Sequence, residues 1–535
     1  MFLLSTHFLL TQCLACLVGC FLTCSPFIVA HNTPVLPPLS ALHSSGSLTF
    51  PVYHKSIDTP RHIGRDHAFQ KQNRSHRRRT LAKFSTDALN PPGPALSNGN
   101  VPALLGKVVT LSTDFGEFFA ELRIGSPAMP LAVIIDSGSQ LMWIQCMPCN
   151  KCGSQAISGY PIFEPAKSSS YTNVTCDTTS ECPHTDDSIE IKCSTDSGVC
   201  MYDVSYADNS SSAGMLASDT LTLTTSNEGA SSSFEFNNFV FGCGVNNAGI
   251  QTMFNASGLM GLGKGPHSII SQLSIDVFSY CLPNRLNNVD VTGYLTFGRG
   301  ADANISLSSS MQYTSIVQLN HHHASFLPHD EFYYLGLTGI SIDGKPLLIP
   351  PAALELNQDT GTGGTIIDSG TALTNFVDEA YTVIINAFND YIHESTLMTI
   401  TNVMLDNGYS TLSCYAVPFS NPREAPTVPT MTLHFEGSVA MELRTEHLLH
   451  LIHNDTTHDY YCLTMTNNGP LESGAKNIIG NFQQQNFLIE YDIANSRVGF
   501  APTQCSASSP HTTTIIGKPI LCHLTLIVVC ILLSL

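Results

Sequence analysis

The sequence predicts an all-β-dominated protein of two similar β lobes related by a pseudo-two-fold axis. The main observation is an internal duplication, because Ile134–Ser139 (Ile-Ile-Asp-Ser-Gly-Ser) reappears as Ile366–Thr371 (Ile-Ile-Asp-Ser-Gly-Thr). An apolar-apolar-glycine signal follows each copy at a comparable distance, at Gly261 and at Gly480. From Val108 onward, short alternating apolar runs are separated by Gly, Ser, Asn and Pro, which is typical of an all-β protein.

Each repeated stretch has the pattern of a buried strand that ends at an acid, Asp136 in the first copy and Asp368 in the second. If the lobes face each other, these acids meet at the seam. Two neighbouring carboxylates share a proton, so one can accept a proton from water while the other donates one to a carbonyl oxygen. Each acid is followed by a glycine that allows a sharp turn and by a hydroxyl that can donate to its outer oxygen, namely Gly138 and Ser139 in the first copy and Gly370 and Thr371 in the second.

A set of further motifs accompanies the two acids in a fixed order. It comprises Asp136–Ser139 with Trp143, Ser205–Ser210, Phe241–Gly244, Gly261–Gly263, Phe278–Leu282, Asp368–Thr371 and Ile479–Asn481. The set resembles the pepsin-like aspartic peptidases (family A1), and within them the plant nepenthesin-like group, over roughly 119–505. The resemblance implies the bilobal pepsin-like fold with a cysteine-rich insert in the first lobe, and an aspartic-type endopeptidase, made as a zymogen, in which Asp136 and Asp368 hold the attacking water. We expect no cofactor.

Tyr206 resembles the tyrosine of the flap, a hairpin that closes over substrate in this family. Trp143, the only tryptophan of the chain, stands where the family's indole N–H supports that tyrosine's hydroxyl. The alternative is that both are ordinary core aromatics. The chain has Ala207 and Asn209 where the group commonly has glycines. Ala tolerates a positive φ less well than Asn, so the sequence does not determine how mobile the flap is. Ser137 replaces a threonine that is frequent in the family and keeps the hydroxyl.

The 18 cysteines divide into four in an apolar leader, two in an apolar tail and twelve between them. An even set of this kind predicts disulfides and an oxidising compartment, with seven of the twelve lying between Cys146 and Cys200. The spacing of Cys146, Cys149 and Cys152 would suit zinc, but no histidine stands nearby at ligand spacing, so we expect no metal. Spacing alone does not give the connectivity; the resemblance implies one bridge, between Cys414 and Cys462.

The chain divides by composition into five segments. We expect a signal peptide (1–30), a prosegment (31–108), an N-terminal peptidase lobe (109–318), a C-terminal peptidase lobe (319–505) and a hydrophobic tail (506–535). The basic centre of the prosegment, Ser75–Arg79, can lie over an anionic cleft until acidification releases it; the alternative is a solvated processing linker. The leader could instead be a membrane anchor. The tail suits a GPI signal better than a transmembrane helix, because its apolar run is shorter than the ~20 residues that span a bilayer.

The formal net charge of −19 makes nucleic acid an unsuitable partner. The acidic surface suits an acidic compartment, although the acids could simply keep a secreted protein soluble. Six Asn-x-Ser/Thr sequons fit a secreted glycoprotein, at Asn73, Asn173, Asn209, Asn255, Asn304 and Asn454. We therefore expect the secretory pathway, ending outside the cell or at its surface, possible membrane attachment through the tail, and the vacuole as alternative. The expected partners are protein or peptide substrates, and the resemblance implies a monomer.

Two other functions fit the same sequence. The first is a catalytically silent binding protein resembling the plant xylanase inhibitors, which share the two lobes and typically lose part of the catalytic constellation. This chain keeps both acids, both glycines, both following hydroxyls, Tyr206 and Trp143, which favours the peptidase. The second is a peptidase addressed elsewhere, such as to a plastid, against which the sequons and the twelve body cysteines argue.

Overall fold

The computed structural model describes residues 48–54 and 117–505, apart from 154, 156–159, 178–181, 183–188, 228–229, 250–255, 285–292, 299–309, 320–331, 359, 395–399, 405–410, 419–424 and 455–457. The predicted signal peptide, most of the predicted prosegment, the sequons at Asn73, Asn255 and Asn304, and the hydrophobic tail lie outside these residues. Within them, no helix is long and apolar enough to cross a membrane.

The first half of the described chain is almost entirely strands, as the alternating pattern predicts. They are β1 (Leu48–His54), β2 (Phe118–Ile124), β3 (Met129–Asp136), β4 (Trp143–Gln145), β5 (Thr172–Asn173), β6 (Glu190–Cys193), β7 (Cys200–Ser205), β8 (Ser211–Asn227), β9 (Ala230–Ala248), β10 (Gly258–Gly261), β11 (Val277–Cys281) and β12 (Gly293–Phe297). One short helix, α1 (Ile269–Gln272), lies between β10 and β11 and begins at Ser268, whose side chain accepts from the Ser271 amide.

The second half repeats this composition and adds one long helix. Its strands are β13 (Gln312–Val317), β14 (Tyr334–Leu335), β15 (Leu337–Ile342), β16 (Lys345–Pro346), β17 (Thr365–Ile367), β18 (Thr374–Phe376), β19 (Ile400–Met404), β20 (Thr411–Pro418), β21 (Met431–Phe435), β22 (Val439–Leu443), β23 (Leu449–Asn454), β24 (His458–Leu463), β25 (Met465–Asn467), β26 (Asn477–Ile479), β27 (Phe487–Asp492) and β28 (Arg497–Pro502). Its helices are α2 (Asp378–Glu394), α3 (Thr445–Leu448) and α4 (Asn481–Gln484). The amphipathic spacing of 379–391 predicts α2, and the structure confirms it.

The duplication seen in the sequence is also a duplication of strand pairing. In the first lobe β10 runs parallel to β3 and antiparallel to β4. In the second lobe β26 runs parallel to β17 and antiparallel to β18. Since β3 ends at one acid and β17 ends immediately before the other, each acid lies at the same point of an equivalent three-strand unit. The bilobal, mainly β fold is therefore confirmed.

One sheet continues from lobe to lobe beneath the two acids. Strand β11 of the first lobe pairs antiparallel with β27 of the second, and β27 pairs with β28, which pairs with β13. On the other side β11 pairs with β12, and β12 pairs with β1. Strand β1, which falls in the predicted prosegment, also pairs with β2. We call this interlobe sheet the floor of the site, because Tyr491 on β27 lies 3.3 Å from the hydroxyl of Ser137, the residue after the first acid.

Six disulfides pair the twelve body cysteines. They join Cys146 to Cys243, Cys149 to Cys152, Cys176 to Cys193, Cys182 to Cys200, Cys281 to Cys505, and Cys414 to Cys462. The predicted bridge between Cys414 and Cys462 is confirmed. The three closely spaced cysteines that raised the question of zinc are all oxidised, so they offer no thiolate to a metal. The bridge from Cys281 to Cys505 joins the last described residue to the sheet between the lobes.

Candidate active site

The two repeated acids are fully buried and have matching hydrogen bonds. The Gly138 amide donates to Asp136 Oδ1 at 2.8 Å, and Ser139 Oγ donates to Oδ2 at 2.6 Å. In the second lobe the Gly370 amide donates to Asp368 Oδ1 at 2.8 Å, and Thr371 Oγ1 donates to Oδ2 at 2.6 Å. Each carboxyl group is therefore held by its own loop in a single orientation. Both predicted glycines and both predicted hydroxyls contact the acids.

The two carboxyl groups face each other across the seam between the lobes. A Cβ atom added at Gly138 would overlap the Asp368 carboxyl group, and one added at Gly370 would overlap that of Asp136. The sequence suggests that these glycines allow a sharp turn, but neither is among the residues with positive φ. The structure gives a different reason, which is that the opposite carboxyl group occupies the space that a side chain would need.

The proximity of the acids changes their ionisation. Burial, and then the negative charge of Asp368, raises the pKa of Asp136 well above its ordinary value, against the opposing effect of the Ser139 hydrogen bond. A pair of this kind titrates in two separate steps, with one proton held between the two groups over the intervening pH range. The site can therefore present one ionised and one protonated carboxyl group at the same time.

Ser137 and Ser369, which directly follow the acids, form crossed hydrogen bonds between the lobes. The Ser137 amide donates to Ser369 Oγ at 3.0 Å, and the Ser369 amide donates to Ser137 Oγ at 2.9 Å. Ser369 Oγ donates in turn to the Ile135 carbonyl at 3.0 Å. Both serines are completely buried. These contacts fix one acid-bearing loop against the other and so set the separation of the carboxyl groups.

The hairpin of β7 and β8 carries Tyr206 at its turn. The Asn209 amide donates to the Tyr206 carbonyl at 3.0 Å, and the Tyr206 amide donates to the Ser210 carbonyl at 2.8 Å. Asn209 has a φ of 64°, whereas Ala207 is not among the residues with positive φ, so the left-handed position falls on the residue that tolerates it. Trp143 Nε1 donates to Tyr206 Oη at 2.8 Å, the hydrogen bond that the resemblance implies. Burial and the charge of Asp136 raise the pKa of Tyr206, which keeps it a neutral phenol.

Comparison with known proteins decides the family. The chain matches the family models Xylanase inhibitor N-terminal over residues 118–299 and Xylanase inhibitor C-terminal over residues 332–502. It is 36% identical to aspartic proteinase nepenthesin-1 of Nepenthes gracilis over 395 residues, which are 74% of this chain and 79% of that protein. It is 33% identical to aspartyl protease family protein 2 of Arabidopsis thaliana over 433 residues, 80% and 79% of the two chains.

This chain belongs to the pepsin-like aspartic protease family. As an aspartic-type peptidase it is a hydrolase. Two solved structures share its fold: that of edgp, with a TM-score of 0.55, 18% identity and coverage of 86% of this chain and 96% of that one, and that of basic 7S globulin from soybean, with a TM-score of 0.53, 19% identity and coverage of 73% and 95%. Because identity to these structures is low, they show the fold alone.

The cysteine-rich insert of the protease packs against the base of the hairpin that carries Tyr206. The bridge from Cys182 to Cys200 attaches the insert to the first residue of β7, and Cys193 lies opposite Cys200 where β6 pairs with β7. Cys182, Cys200 and Tyr206 belong to one buried cluster. The sulfur atoms of Cys176, Cys182 and Cys200 lie within 4.8 Å of one another, but each is in a disulfide.

The sequence-based predictions missed two features, one at this site and one beside it. The first is the crossed serine pair, although a hydroxyl residue after each duplicated acid was a visible signal. The second is a buried histidine beside α4, His447, for which the sequence holds no signal. Its Nδ1 accepts from the Arg444 amide at 3.0 Å and its Nε2 lies 3.0 Å from the Gln485 carbonyl. Burial lowers the pKa of His447, and both contacts suit the neutral imidazole.

Proposed function

We propose that the protease hydrolyses internal peptide bonds of protein substrates at acidic pH, with a water activated by Asp136 and Asp368, and that it is made as a zymogen. The observation that carries this proposal is the pair of buried carboxyl groups that face each other with the same hydrogen bonds from each lobe. Its relatives with aspartic proteinase names support the same reaction.

The chemistry needs one proton on the pair. The ionised carboxylate accepts a proton from the water as its oxygen attacks the scissile carbonyl carbon, while the protonated carboxyl group donates its proton to the carbonyl oxygen. The tetrahedral intermediate then collapses: the proton returns from its hydroxyl to a carboxylate, the carbon–nitrogen bond breaks, and the other carboxyl group protonates the leaving amine. Neither acid bonds covalently to the substrate. The pair is competent only below its upper pKa, which the close approach of the two carboxyl groups raises.

Tyr206 and Trp143 serve this reaction from the hairpin side. We expect the hairpin to cover bound substrate, which excludes water and strengthens the electrostatic interactions at the carboxyl pair. The indole N–H fixes the phenol hydroxyl, and the disulfide-linked insert supports the base of the hairpin. The phenol carries no charge at acidic pH, so it adds no repulsion to the ionised carboxylate.

The zymogen proposal concerns residues 31–108. Strand β1 from this segment occupies a place in the sheet between the lobes, between β2 and β12. Protonation of the carboxylates that attract the basic residues of this segment would release it at low pH. Six disulfides support passage through the secretory pathway, to the outside or surface of the cell or to the vacuole. The hydrophobic tail would then serve as a GPI signal.

The second candidate function is that of a catalytically inactive binding protein, which the names of the two matching family models favour.

The two candidate functions are distinguished by cleavage of a denatured protein from about pH 3 to about pH 7. Cleavage is measured with and without pepstatin, for the wild type and for the Asp136→Ala, Asp368→Ala double variant. The peptidase proposal predicts cleavage by the wild type at acidic pH that pepstatin abolishes and the double variant lacks. Equal silence of both well-folded proteins at every pH would instead support the binding protein.

A further inference from the structure

A chain of buried hydrogen bonds lies beneath the carboxyl pair and links the two lobes. The hydroxyl of Tyr491 is 3.3 Å from Ser137 Oγ and 2.9 Å from the hydroxyl of Tyr280. Tyr280 donates to Gln484 Oε1 at 2.5 Å. Gln484 Nε2 then donates to the carbonyl of Asp368 at 2.9 Å. The chain therefore begins at the serine beside one acid and ends on the backbone of the other.

The strand pairing explains why this chain couples the lobes. Tyr280 lies on β11 of the first lobe and Tyr491 on β27 of the second, and these strands pair directly, with Phe278 opposite Tyr491. Gln484 closes α4 in the second lobe. Each hydrogen bond from Ser137 to Gln484 therefore crosses from one lobe to the other. All four side chains are completely buried, so water does not compete for these bonds.

The carbonyls of the two acids are held in different ways. The Asp136 carbonyl accepts from the backbone amide of Leu262 at 2.7 Å. The Asp368 carbonyl accepts from the side chain of Gln484, which also donates to the Ile479 carbonyl at 2.7 Å. The carbonyl of Asp368 is thus held by a side chain that Tyr280 orients, whereas the carbonyl of Asp136 is held by a backbone amide.

We infer that Tyr491, Tyr280 and Gln484 are positioning residues that fix the separation of the two catalytic carboxyl groups. They act through Ser137 and through the Asp368 carbonyl. This inference rests on the proposed function, because it concerns the geometry that the two-carboxylate reaction requires. It assigns to the floor of the cleft a role in the rate and in the pH range of the enzyme.

The role has a signature in the pH profile. The upper pKa of the carboxyl pair depends on how close the two groups are held, so a looser pair loses its shared proton at lower pH. Among the described residues, four buried tyrosines face the carboxyl pair or this chain of hydrogen bonds: Tyr206 from the hairpin, Tyr280, Tyr491, and Tyr333, which contacts the ring of Tyr491. Burial raises the pKa of each, so all four stay neutral over the active range. The basic limb of the kcat profile therefore reports the carboxyl pair.

Tyr491→Phe tests the inference with little risk to the fold. The ring of Tyr491 stacks on Phe278 with centroids 4.3 Å apart and contacts Tyr333 at 4.6 Å, and phenylalanine keeps both contacts. Gln484→Met is the second variant, since it keeps the length and removes the amide. Tyr415→Phe is the matched control: its hydroxyl is equally buried and has no hydrogen-bond partner among the described residues.

The measurement is kcat, KM and the pH profile of kcat on a short peptide, with active enzyme counted by pepstatin titration. In both test variants we expect kcat to fall about tenfold or more with KM unchanged, because the reacting groups are misplaced but the substrate contacts remain. The basic limb of the kcat profile should move to lower pH in both variants. In the double variant, Tyr491→Phe with Gln484→Met, the fold-loss in kcat should be smaller than the product of the two single losses. Tyr415→Phe should match the wild type.

The inference is overturned if the test variants match Tyr415→Phe, or if kcat falls while the basic limb stays in place, since that would indicate a general loss of structure. Failure of this inference is distinct from failure of the proposed function. If only the inference fails, the wild type still cleaves substrate, and replacing Asp136 and Asp368 abolishes that activity. If the proposed function fails, the wild type itself shows no cleavage.

Discussion

Replacing Gly138 by alanine should separate the two carboxyl groups without removing either. The added Cβ would lie 2.5 Å from Cγ and 2.7 Å from Oδ1 of Asp368. Since non-bonded carbon atoms prefer about 3.5 Å, one group must move by about 1 Å, a displacement that can cost a reaction about 10²-fold in rate. Overpacking of this kind also costs about 1–3 kcal/mol in the free energy of unfolding.

The assay for Gly138→Ala is kcat on a short peptide at acidic pH after removal of the prosegment, together with thermal unfolding. Gly339→Ala is the matched control, because no atom lies within 4 Å of the added Cβ and the residue is not among those with positive φ. We expect the control to keep wild-type activity and Gly138→Ala to fall about 10²-fold while remaining folded at the assay temperature. Wild-type activity in Gly138→Ala would refute the placement of the two carboxyl groups.

Three further predictions concern the surroundings of the carboxyl pair. Trp143→Phe removes the hydrogen bond to Tyr206 and should lower kcat/KM about tenfold; it should also lower the melting temperature, because the smaller ring leaves a cavity around a fully buried side chain, and unchanged kinetics would contradict a role for that bond. Burial lowers the pKa of His447 in the fold below the ordinary histidine pKa of 6.5. On acidification, His447 therefore takes up a proton in the unfolded chain first, and the free energy of unfolding falls as the pH drops below 6.5. In denaturant titrations, the stability advantage of wild type over His447→Gln should therefore narrow from neutral to acidic pH, and a constant or growing advantage would contradict a lowered pKa of His447 in the fold. Replacing both Cys182 and Cys200 by serine opens a loop of 18 residues and should cost about 3 kcal/mol. It should also raise KM, whereas an unchanged KM would mean that the insert does not support the hairpin.

The sequence predicts the parts of this site that repeat. Asp136 and Asp368 recur with the same flanking residues, so a duplication was visible without any knowledge of the fold. The crossed bonds of Ser137 and Ser369 join residues 232 positions apart, and no local pattern indicates which hydroxyl faces the other lobe. The hydroxyl residue after each acid was the available signal.

Other features depend on contacts that sequence spacing does not encode. The disulfide connectivity of the twelve cysteines follows from the strand register of the fold, which sequence spacing does not give. The bridge between Cys414 and Cys462 is the exception, because the resemblance implied it. The effect of Ala207 and Asn209 on the hairpin depended on which of them takes the positive φ, and this follows from the turn that Tyr206 and Ser210 close. The chain of buried hydrogen bonds through Tyr280 and Tyr491 exists only because β11 and β27 pair across the lobes.

The two-carboxylate reaction is tested most directly by the pH dependence of kcat/KM for the activated wild type beside Asp136→Asn and Asp368→Asn. Asp390→Asn, on an exposed position of α2, controls for the loss of a carboxylate. Because one carboxyl group must be ionised and the other protonated, the wild type and this control should show a bell-shaped profile at acidic pH, and each site variant should lose activity by about 10³-fold or more. Near-wild-type activity in either site variant, or a profile with a single limb, would contradict the shared proton.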